Sequence, residues 1–277
     1  MIASRWPTAL CAVTLAGSVP HIVSAQASAP ADPYASDPIG IVADPCPTHA
    51  RPADRAERDA WTLRMRARDF GQLCRYAAQN AALLKSAERV RVVFMGASIT
   101  DNWIGADPAL FTRGLVDRGI SGHTTPQMVV RFRSDVIALK PRAVHIMAGT
   151  NDIAGNTGAA TIETVRGNIM TMAELARANG IRVILASTPP AAAFPWRPAM
   201  KPAAQIVALN DWLRRYAARN AFTYVDYYTA LAGQDGGMKQ GYASDGVHPT
   251  PQGYAVMKPL ALAAIAKSVG RPGGDAR

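Results

Sequence analysis

The sequence predicts an α/β fold, with a parallel sheet of about five strands covered by helices on both faces. Three observations support this prediction. Short apolar runs alternate with longer segments whose apolar residues recur at helical spacing. The first run, residues 89–95, becomes continuously apolar, as a buried parallel strand does. The chain has 277 residues, 49% of them hydrophobic and 18% charged, which suits a substantial core in one domain or at most two.

The predicted elements follow one another in order along the chain. A long helix is expected first, because Trp61, Met65 and Tyr76 recur on one apolar face. Thr125–Pro126 opens a later helix, and Asn179–Gly180 closes another. We expect strands over about 89–95, 115–120, 143–149, 181–187 and 222–227, and helices over about 57–87, 125–140, 162–179, 206–216 and 251–268.

The first 27 residues are typical of an export signal. Arg5 provides the positive charge, residues 6–23 are mainly apolar, and Ala25–Gln26–Ala27 resembles a cleavage site. A membrane anchor is the alternative, but Pro7 and Pro20 leave too short a clean apolar run to span a bilayer. We therefore expect residues 1–27 to be a removed signal peptide, and the protein to be exported, periplasmic or secreted, without stable membrane insertion.

The remaining chain divides into three expected parts. Residues 28–56, rich in Pro, Ala and Asp, predict an extended N-terminal arm, residues 57–270 one globular domain, and residues 271–277 a loose tail. Signal cleavage would leave Cys46 and Cys74, an even number in an oxidising compartment, which favours a disulfide bridge over two unpaired buried thiols. No CxxC motif or Cys/His cluster indicates a zinc site.

The distribution of charge along the chain gives no sign of a nucleic-acid partner. The net charge is +10, but the basic residues are scattered and no run of five or more Lys/Arg occurs. A nucleic-acid-binding protein concentrates such residues on one face, so no nucleic-acid partner is expected. A solvated basic surface is the simplest interpretation, and attraction to anionic envelope surfaces or acidic glycans is the alternative.

Polar clusters follow the predicted strands. They are "GASIT" (96–100), "GISGHTT" (119–125) and "GTND" (149–152), with "DGVHP" (245–249) just before the last helix. Carboxyl ends of parallel strands meet at one edge of a sheet, where ligands bind. Because a residue before proline is driven out of the α region, His248 must lie on the loop ahead of that helix, which Thr250–Pro251 opens.

These clusters contain every part of a serine acyl-transfer site. Ser98 would be the nucleophile, His248 the general base, and Asp245 the group that fixes the imidazole tautomer. The backbone N–H groups of Ser98 and Gly122, with the side-chain amide of Asn151, would receive the developing oxyanion.

The four blocks, in this order over about residues 90–255, resemble those of the SGNH (GDSL-type) hydrolases. The resemblance implies a catalytic set of Ser98, Gly122, Asn151 and His248, with Asp245 as the family's Asp. It also implies a flavodoxin-like three-layer α/β/α sandwich, and ester hydrolysis through an acyl-enzyme without metal or organic cofactor. The sequence departs from the family pattern at three places, with Ala97 in place of Asp, Ile99 in place of Leu, and His123 in place of Asp.

The resulting hypothesis is an exported serine esterase acting on a short-chain acyl ester of a small molecule or glycan. Lysophospholipase, thioesterase and O-acyltransferase activities are alternatives, and a non-catalytic binding protein on the same fold is an alternative of another class. An ordinary α/β-hydrolase is rejected, because its G-x-S-x-G elbow would need glycine at Thr100. The sequence does not predict the oligomeric state.

Five further polar or aromatic features are kept out of the site. His145 is expected in the core, Asp226 at a helix start or turn, and Asp152 in a turn bonded to its own backbone. Trp103 and the stretch 194–196 are left out of the site, because aromatic residues at such places are at least as often packing residues as pocket walls.

Overall fold

The computed structural model describes residues 37–46 and 52–270. The chain divides into two units, Met1–His49 and Ala50–Arg277, and the second contains all of the helices and strands below. The predicted signal peptide, the tail and about half of the N-terminal arm lie outside the described residues, and this division of the chain stays a prediction. Cys46 and Cys74 are both disulfide-bonded, in agreement with the predicted bridge.

The sheet has five parallel strands, as the sequence predicts. They are β1 (Val92–Gly96), β2 (Leu115–Gly119), β3 (Ala143–Met147), β4 (Arg182–Ala186) and β5 (Thr223–Val225). Their order across the sheet is β2-β1-β3-β4-β5, and every neighbouring pair is parallel. This is the flavodoxin-like order. The direction in which successive strands are added to the sheet reverses between β1 and β3, and a crevice opens there at the carboxyl ends of the strands.

Helices cover both faces of this sheet. They are α1 (Arg55–Arg68), α2 (Ala77–Lys85), α3 (Ser98–Asp101), α4 (Trp103–Ala106), α5 (Thr125–Asp135), α6 (Thr150–Ile153), α7 (Ile162–Ala178), α8 (Ala203–Arg219), α9 (Tyr227–Leu231) and α10 (Pro251–Val269). Val93 and Met95 of β1 pack with side chains of α5, α7 and α8. Val92 and Phe94, one residue out of phase, pack with those of α4, α9 and α10. The three-layer sandwich is therefore confirmed.

The single helix predicted over 57–87 is wrong. The segment is broken between α1 and α2, where the Asp69 carboxylate accepts the N–H groups of Leu73 (2.9 Å) and Cys74 (3.2 Å). Such side-chain bonds compete with helical ones. Gly71 also lies so close to α5 that a Cβ there would come within 2.6 Å of the Val130 side chain. The chain thus breaks where a tertiary contact requires glycine.

None of the helices in the described ranges combines the length and apolar character needed to cross a bilayer.

Candidate active site

The predicted site residues lie at the carboxyl edge of the sheet. Ser98 is the first residue of α3, directly after β1; Gly122 follows β2, and Asn151 lies in α6 after β3. Asp245 and His248 lie on the loop that precedes α10. Because β1 lies between β2 and β3, the segments that follow these three strands are neighbours.

Close packing of α3 against the strand ends requires glycine. A Cβ added at Gly119 would lie 2.1 Å from the backbone nitrogen of Asp101, and one added at Gly96 would lie 2.0 Å from Thr100 Oγ1. Both distances are too short for any side chain. The two glycines therefore allow α3, and with it Ser98, to lie directly on the ends of β1 and β2.

Ser98, His248 and Asp245 form a continuous hydrogen-bonded line. Ser98 Oγ lies 2.9 Å from His248 Nε2, and His248 Nδ1 lies 2.7 Å from Asp245 Oδ2. An ionised carboxylate only accepts hydrogen bonds, so Nδ1 carries the proton and Nε2 is left to accept the hydroxyl proton of Ser98. This is the tautomer that a general base needs.

The Asp245 carboxylate also holds its own loop. Its Oδ1 accepts the backbone N–H groups of Val247 (3.0 Å) and His248 (2.8 Å). Partial burial raises the pKa of Asp245, but these bonds and the one to the His248 ring outweigh that effect and hold the pKa below its usual value. Asp245 therefore remains charged around neutral pH.

The loop is joined to the helix and to the nucleophile's segment. Thr250 caps α10 by accepting the N–H of Gly253 (3.3 Å), as the sequence predicts. Tyr254, in the first turn of α10, donates its hydroxyl to the carbonyl of Ile99 (2.8 Å). The residue after Ser98 is thus tied to the helix that follows His248.

The amide of Asn151 is oriented by bonds at both ends. Its Nδ2 donates to the carbonyl of His123 (2.9 Å), and its Oδ1 accepts from Asn156 Nδ2 (2.9 Å). Asn156 Oδ1 in turn accepts the indole N–H of Trp196 (3.1 Å). An indole N–H only donates and a backbone carbonyl only accepts, so this chain of bonds fixes which end of each amide is oxygen.

Ser98 and Asn151 line one small cavity, together with Ala97, His123, Met147 and Pro189. Ser98 begins a helix, so its N–H has no acceptor within that helix. Gly122 lies in the turn after β2 with φ +82°, and its carbonyl accepts from Asn156 Nδ2 at 3.5 Å. The donors predicted for an oxyanion therefore come from segments that meet around this cavity.

His123 is a buried neutral side chain. It is 1% exposed, and its Nδ1 accepts the Nε–H of Arg131 (3.2 Å). Burial, with the positive charges of Arg131 and Arg66, lowers the pKa of His123 to about 2. The ring therefore brings no charge to the cavity that it lines.

The residues given structural roles are placed as follows. The Asp152 carboxylate bonds its own backbone, as predicted, and it also accepts the N–H (2.9 Å) and hydroxyl (2.5 Å) of Thr125 at the start of α5, joining α6 to α5. His145 is confirmed as a core residue, fully buried and stacked on Phe94. Asp226 is confirmed as the N-cap of α9.

The aromatic candidates differ from each other. Trp103 is fully buried, as packing predicts, whereas Trp196 is 39% exposed with its ring 6.1 Å from that of His248. Sequence reasoning left Trp196 out of the site and did not find Asn156. The stretch 194–196 after a strand was the available signal for Trp196, and Asn156 had none beyond its place five residues after Asn151.

Within the described segments, no group of three or more His, Cys, Asp or Glu side chains is arranged to hold a metal ion.

The strand order and the Ser–His–Asp line at the carboxyl edge place the chain among doubly wound α/β proteins with a polar site at the switch point of the sheet. The chain belongs to the GDSL-like lipase/acylhydrolase family, whose sequence model matches residues 94–256. Membership implies hydrolase activity.

Similar proteins of known structure support this assignment. A GDSL-like lipase from Bacteroides thetaiotaomicron is 46% identical, with a TM-score of 0.69 over 73% of this chain and 100% of that one. A Bacteroides fragilis protein, described provisionally as an acylhydrolase, is 49% identical, with a TM-score of 0.69 over 72% and 98%. The acetylxylan esterase Axe2 of Geobacillus stearothermophilus, 21% identical with a TM-score of 0.52 over 65% and 94%, shares the fold.

One curated relative matches over a shorter stretch. The uncharacterized lipoprotein YqeF of Bacillus subtilis is 36% identical over 74 residues, which is 26% of this chain and 30% of that protein's length.

Proposed function

We propose that the protein is an exported serine esterase that hydrolyses short-chain acyl esters, including acetyl esters of carbohydrates, through an acyl-enzyme intermediate. The observation that carries this proposal is the hydrogen-bonded line from Ser98 Oγ through His248 to Asp245. It provides an activated nucleophile, a base with a free acceptor nitrogen, and a charge that stabilises the imidazolium.

The proposed reaction has two halves. Ser98 Oγ attacks the ester carbonyl carbon while His248 Nε2 takes the hydroxyl proton; the tetrahedral oxyanion collapses, and His248 returns that proton to the departing alcohol. Water then attacks the acyl-serine, giving one proton to His248, and the carboxylic acid leaves as Ser98 regains its hydrogen. The sum is ester plus water to acid plus alcohol.

The oxyanion would be held by three donors. They are the backbone N–H groups of Ser98 and Gly122 and the remaining Nδ2 proton of Asn151, whose other Nδ2 proton is directed to His123. Fixed donors of this kind stabilise charge that develops only in the transition state. The bond from Asn156 supports this role for Asn151, because it turns the amide nitrogen rather than the oxygen toward the cavity.

Acyl-chain length and location are parts of the same proposal. The small cavity walled by Ala97, Met147 and Pro189 supports a short acyl group. Export is supported by the predicted signal peptide and by the disulfide-bonded Cys46 and Cys74, since disulfides persist in oxidising compartments. The partial match to a bacterial lipoprotein is in keeping with it.

Labelling with a fluorophosphonate and a panel of p-nitrophenyl esters from acetyl to palmitoyl tests the proposal. Wild type and Ser86→Ala, a control at an exposed serine remote from the site, should be labelled and should hydrolyse the shortest esters fastest. Ser98→Ala should be unlabelled and inactive with an unchanged melting temperature. Ser98→Ala activity above about a tenth of wild type would contradict the nucleophile assignment, because loss of a triad nucleophile costs far more.

A further inference from the structure

Trp196 has features of a binding residue that packing does not explain. Its ring stacks on the fully buried Phe194 (5.2 Å between ring centroids, 21° between planes), which fixes its position, yet 39% of the residue remains exposed. Its indole N–H is bonded to Asn156, which removes a further degree of freedom. A large aromatic surface is thus held rigid and open to solvent beside His248.

The reaction decides which part of the substrate this surface faces. The departing alcohol oxygen must receive its proton from His248 Nε2, so the alcohol part of the ester lies on the His248 side of the scissile bond. The acyl group lies on the opposite side of that bond, with its carbonyl oxygen toward the cavity where the oxyanion donors meet. Trp196, 6.1 Å from the His248 ring, is therefore beside the alcohol part.

We propose that Trp196 is the surface on which the ring of a ring-bearing alcohol, foremost a pyranose, stacks during ester hydrolysis, and that Trp196 also acts, through Asn156, as a positioning residue for Asn151. This rests on the proposed function and names its substrate class. Flat aromatic faces bind rings by contact area and by the attraction of the π-face for C–H groups, whereas a linear alcohol covers little of such a face.

The positioning role follows from the direction of the hydrogen bonds. The Trp196 N–H holds Asn156 Oδ1, so Asn156 must present Nδ2 to Asn151 Oδ1. Without that donor, the bond from Nδ2 to the His123 carbonyl alone orients the Asn151 amide, so the amide is held less firmly in the position that presents Nδ2 to the cavity. The residue that binds the alcohol thus also keeps an oxyanion donor in place.

Three acetyl esters test the stacking surface, because they share an acyl group and differ only in the alcohol: a methyl O-acetyl-pyranoside, phenyl acetate and ethyl acetate. Trp196→Ala should raise KM about threefold to tenfold for the ring-bearing esters and leave KM for ethyl acetate unchanged. A rise with the pyranoside identifies a sugar and a rise with phenyl acetate alone an aryl alcohol. Equal KM changes on all three esters, or none, would overturn the stacking surface.

Two milder variants test the relay, the chain of hydrogen bonds from Trp196 through Asn156 to Asn151. Trp196→Phe keeps a ring but loses the N–H, and Asn156→Ala removes the donor to Asn151. Both should keep the wild-type KM values and lower kcat about threefold to tenfold on all three esters, the effect of one neutral hydrogen bond. Unchanged kcat in Asn156→Ala would overturn the positioning role.

A matched control and one comparison distinguish failure of the stacking surface from failure of the proposed esterase function. Trp212→Phe alters a tryptophan that stacks on Tyr216 in α8, and should change none of these constants. Ser98→Ala reports on the proposed function alone. If Ser98→Ala is inactive while Trp196→Ala leaves the three KM values in wild-type proportion, the stacking surface fails and the esterase proposal stands.

Discussion

Asp245→Asn is the substitution whose effect on catalysis is set most directly by the hydrogen bonds of the site. In the wild type, Oδ1 accepts two backbone N–H groups and Oδ2 accepts the Nδ1–H of His248. An asparagine must keep its oxygen toward the two backbone donors, so its NH₂ group replaces Oδ2. The loop keeps its shape, but a donor now faces Nδ1.

The substitution therefore reverses the tautomer of His248. With Nδ1 forced to accept, the ring proton moves to Nε2, which then cannot take the proton of Ser98. In serine proteases the equivalent change lowers kcat about 10⁴-fold. Because the two backbone bonds of Asp245 lock the asparagine in the harmful orientation, we expect kcat to fall about 10³- to 10⁴-fold here, with KM nearly unchanged.

The assay is steady-state hydrolysis of p-nitrophenyl acetate at pH 7. At this pH the charge of Asp245 contributes fully to stability, since a lowered folded-state pKa means that the contribution is complete above the unfolded value near 3.9 and is lost only as the pH falls through the lower folded value. Asp226→Asn, the same change at the cap of α9, is the control and should retain wild-type kcat. A folded Asp245→Asn protein with kcat within about threefold of wild type would refute the reasoning.

Three more predictions concern the oxyanion donor, the strand ends and a buried acid. Asn151→Ala should lower kcat about 10²- to 10³-fold with little change in KM, and a rise in KM alone would make it a binding residue. Gly119→Ala should lower the free energy of unfolding in urea by about 1–3 kcal/mol or more, because its Cβ would lie 2.1 Å from backbone; Gly105→Ala, with nothing within 4 Å, should not destabilise. Burial raises the pKa of Asp117 to about 7, so the native state binds the extra proton, and the contribution of this group to stability should fall by about 3 kcal/mol as pH rises from 4 to 7. Asp117→Asn should abolish this fall, measured by urea unfolding across that range against the exposed control Asp59→Asn, and a parallel pH dependence in wild type and variant would count against it.

The parts of the fold that local sequence determines could be predicted, and the parts that distant contacts determine could not. Mainly apolar runs predicted the three central strands β1, β3 and β4, because parallel strands buried on both faces leave no other pattern. The edge strands β2, which contains Asp117, and β5 were expected from the alternation of strands and helices. His248 could be placed on a loop because Pro249 restricts its backbone. The break between α1 and α2 was missed because it depends on the close contact between Gly71 and Val130, which lies in another helix.

The same distinction applies to the site. Ser98, Asn151 and His248 each lie within a recognisable local block of sequence. Their meeting at the edge of the sheet could therefore be predicted from topology. The relay from Trp196 to Asn151 joins the segment after β4 to the segment after β3, and Trp196 and Asn156 are 40 residues apart in the chain. Neither residue type nor spacing predicts such a bond, because only the packed loops bring the two side chains together.

The bond between Tyr254 and Ile99 makes the proposed ester hydrolysis a measure of whether α10 has docked. It joins two residues 155 positions apart, and it couples the helix behind the base to the turn that bears the nucleophile. His248 lies on the loop ahead of α10, so it is held beside Ser98 only when α10 is docked, and turnover in the proposed reaction requires that docking. In a continuous ester assay started at the moment of dilution from denaturant, the lag before turnover therefore measures the time that α10 needs to dock.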